Sequence, residues 1–118
     1  MKLCAKYYLE GAFAILKDNE VFFGPLQHKI VNQIVKDGSI NAAAKNLGIS
    51  YQHAWSIIDK MNRLSPVPIV IRKKGGKDGG GCRISDYGLH IYESFAVYSF
   101  KMNEYVSTIN KEWEPNLI

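Results

Sequence analysis

At 118 residues the chain has the length of one domain, and 47% hydrophobic with 12% aromatic content is enough to build a packed core. The longest apolar stretches fall far short of the roughly 20 residues needed to span a bilayer, and the N-terminus lacks the basic-then-apolar pattern of a secretory signal, so a soluble cytoplasmic protein is expected. The net charge is +4, and all of that excess lies between Arg72 and Arg83, where Arg72, Lys73, Lys74, Lys77 and Arg83 face one acid, Asp78.

In chain order, Leu3, Ala5, Tyr7 and Leu9 alternate with Cys4, Lys6, Tyr8 and Glu10, the period of two expected of a strand with one face buried. A hairpin follows, with Ala12 to Leu16 and Val21 to Phe23 flanking Lys17-Asp18-Asn19-Glu20, whose Asp-Asn pair is good turn chemistry. Pro25 suits the first position of a helix, since the N–H it lacks has no partner there. Leu26, Ile30, Val31, Ile34 and Val35 then make one apolar stripe, ended by Gly38.

Ser39 caps a short Ala-rich helix, Ile40 to Leu47; Gly48 supplies a turn with positive φ; Ser50 caps another helix running to about Leu64, beyond which Pro66 and Pro68 forbid continuation. This is a helix-turn-helix pattern, with Ala44 small where the helices cross and Ala54 and Ile57 facing inward. Ser50, Tyr51, Gln52, His53, Trp55, Ser56, Asp59 and Lys60 are then left for the outer face, where Gln52 can pair with adenine and Ser56 can donate or accept. Trp55 has two readings, contact with a partner or packing against the strands that follow. Ser39, Lys45, Lys60 and Arg63 are candidates to hold phosphates beside a groove.

Ile69 to Ile71 and Cys82 to Ile84 can pair as strands across a loop containing Gly75, Gly76, Gly79, Gly80 and Gly81, which makes the arrangement a winged helix. The cations of this wing, Arg72, Lys73, Lys74, Lys77 and Arg83, are placed to neutralise phosphates and release counterions. The loop fails as a nucleotide-binding motif, since Gly76-Lys77 is followed by Asp78 and a strand.

Ser85 and Asp86 open a final helix to about residue 113, in which Ile91, Phe95, Tyr98, Met102, Tyr105 and Ile109 recur at steps of four and three. That seam either packs on its own sheet and first helix or joins two copies of the chain; its length favours the homodimer. His28, His53 and His90 lie on three different helices, and Cys4 and Cys82 form no ligand pair, so neither metal site, cofactor nor catalysis is expected.

Gly38-Ser39-Ile40, Ala42-Ala43-Ala44, Leu47-Gly48-Ile49-Ser50-Tyr51 and Ala54-Trp55, then Ile58 to Asn62, the glycine-rich wing and Ile84-Ser85 with Gly88, resemble the N-terminal DNA-binding domain of ModE-type molybdate-dependent regulators. They are more loosely similar to the winged helices of LysR-type regulators. The resemblance implies a dimeric transcription factor that docks one recognition helix in each of two major-groove half-sites, with the long helix joining the subunits. Full-length relatives carry C-terminal oxyanion-binding domains, whereas this sequence ends at Ile118 after the long helix, so molybdate binding is not expected. Gln52-His53 stands where relatives tend to place basic residues.

The expected architecture is thus mainly α with a small β component, a single domain over 1–118: N-terminal strands to 23, three helices over 25–64, a wing over 67–84 and a dimerisation helix over 85–113. The expected function is sequence-specific double-stranded DNA binding and transcriptional regulation as a homodimer without its own ligand domain. The alternatives are a winged-helix protein-interaction module and a small-ligand sensor at the dimer interface.

Overall fold

Asp18 and Asn19 both adopt positive φ, 49° and 67°, as a two-residue hairpin turn of primed type requires. They join β1 (Ile15–Lys17) to β2 (Glu20–Phe23) in an antiparallel pair with Leu16 opposite Val21 and an irregularity between Ile15 and Leu16. The computed structural model describes residues 7–73 and 81–113. The hairpin is shorter than expected, because Ala12 to Ala14 have no strand partner. The strand expected from Leu3 to Leu9 is not borne out where it is described: residues 7–10 are irregular, and the Leu9 backbone bonds the Asn110 side chain through both its N–H (2.6 Å) and its carbonyl (2.8 Å) instead of a neighbouring strand. The rest of that segment, Cys4 included, lies outside the described residues.

Helix α1 (Pro25–Asp37) starts at the anticipated proline and stops at Gly38, whose φ of 64° lets its N–H reach the Ile34 carbonyl. Its buried face is Ile30, Val31 and Ile34. Leu26 and Val35, expected in the stripe, are exposed, since one lies in the first turn and the other at the stripe's outer margin.

Helix α2 (Ile40–Leu47) is capped by Ser39 Oγ, which accepts from the Ala42 N–H at 3.2 Å. Ala43 and Ala44 are buried, and so small a surface lets α2 lie close against its neighbours. Gly48, at φ 69°, turns the chain into α3 (Tyr51–Leu64), capped by Ser50 Oγ accepting from the His53 N–H at 3.0 Å. The inward residues of α3 are Ala54, Ile58, Met61 and Leu64. Ile58 is fully buried, whereas Ile57, expected to face inward, is half-buried.

Two brackets fix the wing to this helical core. Asn62 Oδ1 accepts from the N–H groups of Ile69 (2.8 Å) and Val70 (3.1 Å), while its Nδ2 donates to the Val70 carbonyl at 3.1 Å. Ser85 Oγ donates to the Pro68 carbonyl and accepts from the Gly88 N–H. Between them run β3 (Val70–Arg72) and β4 (Cys82–Ile84), antiparallel with Ile71 opposite Arg83. Pairing begins at Val70, one residue later than expected, because Ile69 turns its N–H to Asn62 and its carbonyl to the Ser85 N–H. The Cys82 N–H reaches the Gly38 carbonyl, so β4 is tied to the turn before α2.

Helix α4 (Asp86–Glu112) opens with Gly88 pressed on the wing: a Cβ there would meet the Ile69 carbonyl oxygen at 2.8 Å. Phe23, Ile30, Val31, Ile58, Met61 and Ile69 are the largest fully buried side chains, drawn from β2, α1, α3 and the wing entry. The fold is mainly α with a winged helix-turn-helix, and α4 extends past this core.

Candidate nucleic-acid interface

The outer face of α3 presents Tyr51, Gln52, His53, Ser56, Asp59 and Lys60 to solvent. The Ser56 hydroxyl donates back to the His53 carbonyl at 2.8 Å, and the Ser50 hydroxyl is engaged as the cap. Gln52 is exposed and has no side-chain hydrogen bond among the described residues; it stands in the first turn, where the orphan N–H groups of the helix also lie. Ser39 is likewise a cap, half-buried beside Gly38.

Trp55 resolves toward packing. Its ring is half-buried, Tyr51 meets it edge-on at 6.4 Å, and the Arg72 guanidinium sits 3.8 Å from the ring centroid. A stacked guanidinium keeps its edge N–H groups free, so Arg72 joins the wing to α3 while retaining its capacity to donate to an anion. Among the described residues the enclosed indole Nε1 has no hydrogen-bond partner.

Around this face the cations divide. Lys73 and Arg83 are exposed on the wing and Lys45 on α2, none with an ion-pair partner among the described residues. Lys60 and Arg63 differ: Glu20, at the hairpin turn, lies 3.9 Å from Lys60 Nζ and 3.3 Å from Arg63 Nη2. The expectation that both cations are free for phosphate omitted this carboxylate, which is far away in sequence. Lys74, Lys77 and the loop glycines from Gly75 to Gly80 lie outside the described residues.

The seam on α4 splits into two parts. Ile91 and Phe95, expected at a dimer interface, pack against the chain's own core, Phe95 meeting Phe23 at 5.3 Å and His28 at 5.4 Å. Tyr98, Met102 and Tyr105 are exposed, at 62%, 44% and 66%, and Val97 and Phe100 are exposed on another side of the helix. Ile109 is half-buried where residues 9–13 run along α4. An apolar groove of about 300 Å³ opens there between Phe13, Ala14 and Ile15 and the α4 residues Phe95, Tyr98 and Met102.

Two groups inside the fold titrate abnormally. His28 stacks on Tyr92 at 4.6 Å, its enclosed Nε2 has no partner among the described residues, and burial lowers its pKa. Burial pushes the Cys82 thiol up, outweighing the opposing pull of Lys73 and Arg72, so it is a poor nucleophile. Among the described residues no three His, Cys, Asp or Glu side chains gather as a metal-binding group, and no helix is long and apolar enough to cross a membrane.

Fold and surface together define a winged helix-turn-helix domain with an open polar helix face beside a basic wing. The sequence is 42% identical over 83 residues to the molybdenum transport protein ModE of Azotobacter vinelandii, covering 70% of this chain. It is 38% identical over 76 residues to the DNA-binding transcriptional dual regulator ModE of Escherichia coli K12, and 37% identical over 75 residues to the transcriptional regulator ModE of Haemophilus influenzae. The matched portion of the chain is homologous to ModE-type transcriptional regulators. The chain spans about 30% of the length of these curated relatives. No family model matches it.

Proposed function

We propose that residues 1–118 act as one double-stranded DNA-binding domain of a transcriptional regulator, working as a homodimer. The observation that carries this reading is the α3 face from Tyr51 to Lys60, which has no packing duty and adjoins the wing through the contact of Arg72 with Trp55. Gln52, Tyr51, His53 and Ser56 would meet base edges in a major groove, while Lys45, Arg72, Lys73, Lys74, Lys77 and Arg83 would hold the backbone on either side. Relatives named as transcriptional regulators support the regulatory role.

The homodimer reading rests on α4, where Tyr98, Met102 and Tyr105 leave an apolar stripe in water. Such a stripe gains from meeting its own copy, and two-fold symmetry would then present two recognition helices to two half-sites.

Titrating labelled random-sequence duplexes at several salt concentrations tests the DNA reading. Affinity should fall steeply with salt. Replacing Lys73, Lys74 and Lys77 with alanine should weaken binding to every sequence and flatten the slope by about one unit for each phosphate that is no longer neutralised. Binding indifferent to salt would favour a protein partner instead, and an unchanged slope in the triple variant would remove the wing from the interface.

A further inference from the structure

The hairpin turn places one carboxylate against two cations of the recognition helix. Glu20 lies 3.3 Å from Arg63 Nη2 and 3.9 Å from Lys60 Nζ, and all three side chains remain partly open to water. Exposed pairs of this kind contribute little to folding, with typical values below about 1 kcal/mol, so stability does not explain the arrangement. Its electrostatic consequence is larger. Lys60 and Arg63 share the outer side of α3 with Gln52 and Ser56, where a phosphate backbone would run, yet with Glu20 the trio carries one net positive charge, not two.

We propose that Glu20 is a built-in attenuator of DNA affinity, neutralising one of the two phosphate-binding cations on the C-terminal half of α3. This inference rests on the DNA-binding reading above. Its physical basis is that affinity for a duplex and its salt dependence both follow the number of phosphates neutralised, with a slope near 0.9 per charge. A phosphate approaching Lys60 and Arg63 must share them with Glu20 or displace it. The position on the hairpin also matters: β2 packs into the core through Phe22 and Phe23, so the carboxylate next to them is held at the helix by a folded element.

The test is a cycle of substitutions in the full chain, read by duplex binding across a salt series. Glu20→Gln keeps the shape of the side chain and removes its charge. It should tighten binding by roughly fivefold to tenfold near 0.1 M salt and steepen the slope by about one. In a Lys60→Gln, Arg63→Gln background the same Glu20→Gln change should move affinity by less than about twofold, because the cations it restrains are gone. An equal gain in both backgrounds would mean that Glu20 acts only through the general field of the protein and would overturn the proposal, as would no gain in either. Thermal unfolding of each variant, expected to shift little, checks that the fold is kept. If the unsubstituted chain shows no salt-dependent duplex binding, the DNA reading falls and this proposal with it; if it binds and only the cycle fails, the failure is confined to Glu20.

Discussion

Helices α3 and α4 both leave part of their surface uncovered, and the chemistry of the two uncovered parts differs. On α3 the covered side is Ala54, Ile58, Met61 and Leu64, and the open side is polar, cationic at its margins and next to the wing. On α4 the N-terminal half is covered by the core through Ile91 and Phe95, whereas the distal half carries the stripe of Tyr98, Met102 and Tyr105 in water, with Val97 and Phe100 exposed on another side of the helix. An open polar face gains by exchanging water for base edges and phosphates; an open aromatic face gains by leaving water altogether. One small fold thus separates a surface suited to a polyanion from a surface suited to a second helix.

The largest expected effect comes from spoiling the α4 face. Replacing Tyr98 and Tyr105 together with glutamate should leave the monomer folded, convert a sedimenting dimer to monomer, and weaken binding to a two-half-site duplex by about a hundredfold, since linked half-sites commonly gain that much or more. Next is the bracket that couples α3 to the wing: Asn62→Ala leaves two N–H groups and a carbonyl without their partner and should cost about 2–3 kcal/mol in denaturant unfolding. An unfolding midpoint unchanged in that variant would show that the wing is held by other interactions. On the reading face, Gln52→Ala should alter the profile of selected duplexes, reducing discrimination at one base position by about 1–3 kcal/mol while general affinity for random DNA is largely kept.

The smallest effect is a pH dependence inside the core on which both helices rest. The pKa of His28 is lowered in the fold, so the unfolded chain takes up a proton first as pH falls below the ordinary value near 6.5. Its contribution is therefore fully present above that value and is lost on acidification down to the folded pKa. Thermal unfolding between pH 7 and 5 should fall more steeply in the parent than in a His28→Phe variant, which keeps the stack on Tyr92 without a titrating group.

Much of this architecture is legible in the sequence because it is locally encoded. Gly38 and Gly48 sit at the two positive-φ helix ends, Ser39, Ser50 and Ser85 cap the helices they precede, and Asp18-Asn19 forms the hairpin turn. These features depend on a few neighbouring residues and their dihedral preferences. The N-terminal segment departs from expectation because alternation alone does not supply a partner strand, and Leu9 finds Asn110 instead. The continuous α4 seam divides for a related reason: periodicity identifies a face but not how far along the helix the core extends. Glu20 and Asn62 escape sequence reasoning as positioning residues since both act on partners outside their own elements. An acidic residue at a tight turn and an asparagine two residues from the end of a helix are weak signals until the fold brings the wing and hairpin beside α3.

If the open side of α3 meets DNA while the distal part of α4 meets another copy, oxidative footprinting of aromatic side chains reads both at once. Without DNA, Tyr98 and Tyr105 should be shielded in a concentration-dependent way; with duplex added, Tyr51 should become protected from hydroxyl radicals while those two change little. Duplex that protects Tyr98 and Tyr105 and leaves Tyr51 reactive would place DNA on α4 instead of α3.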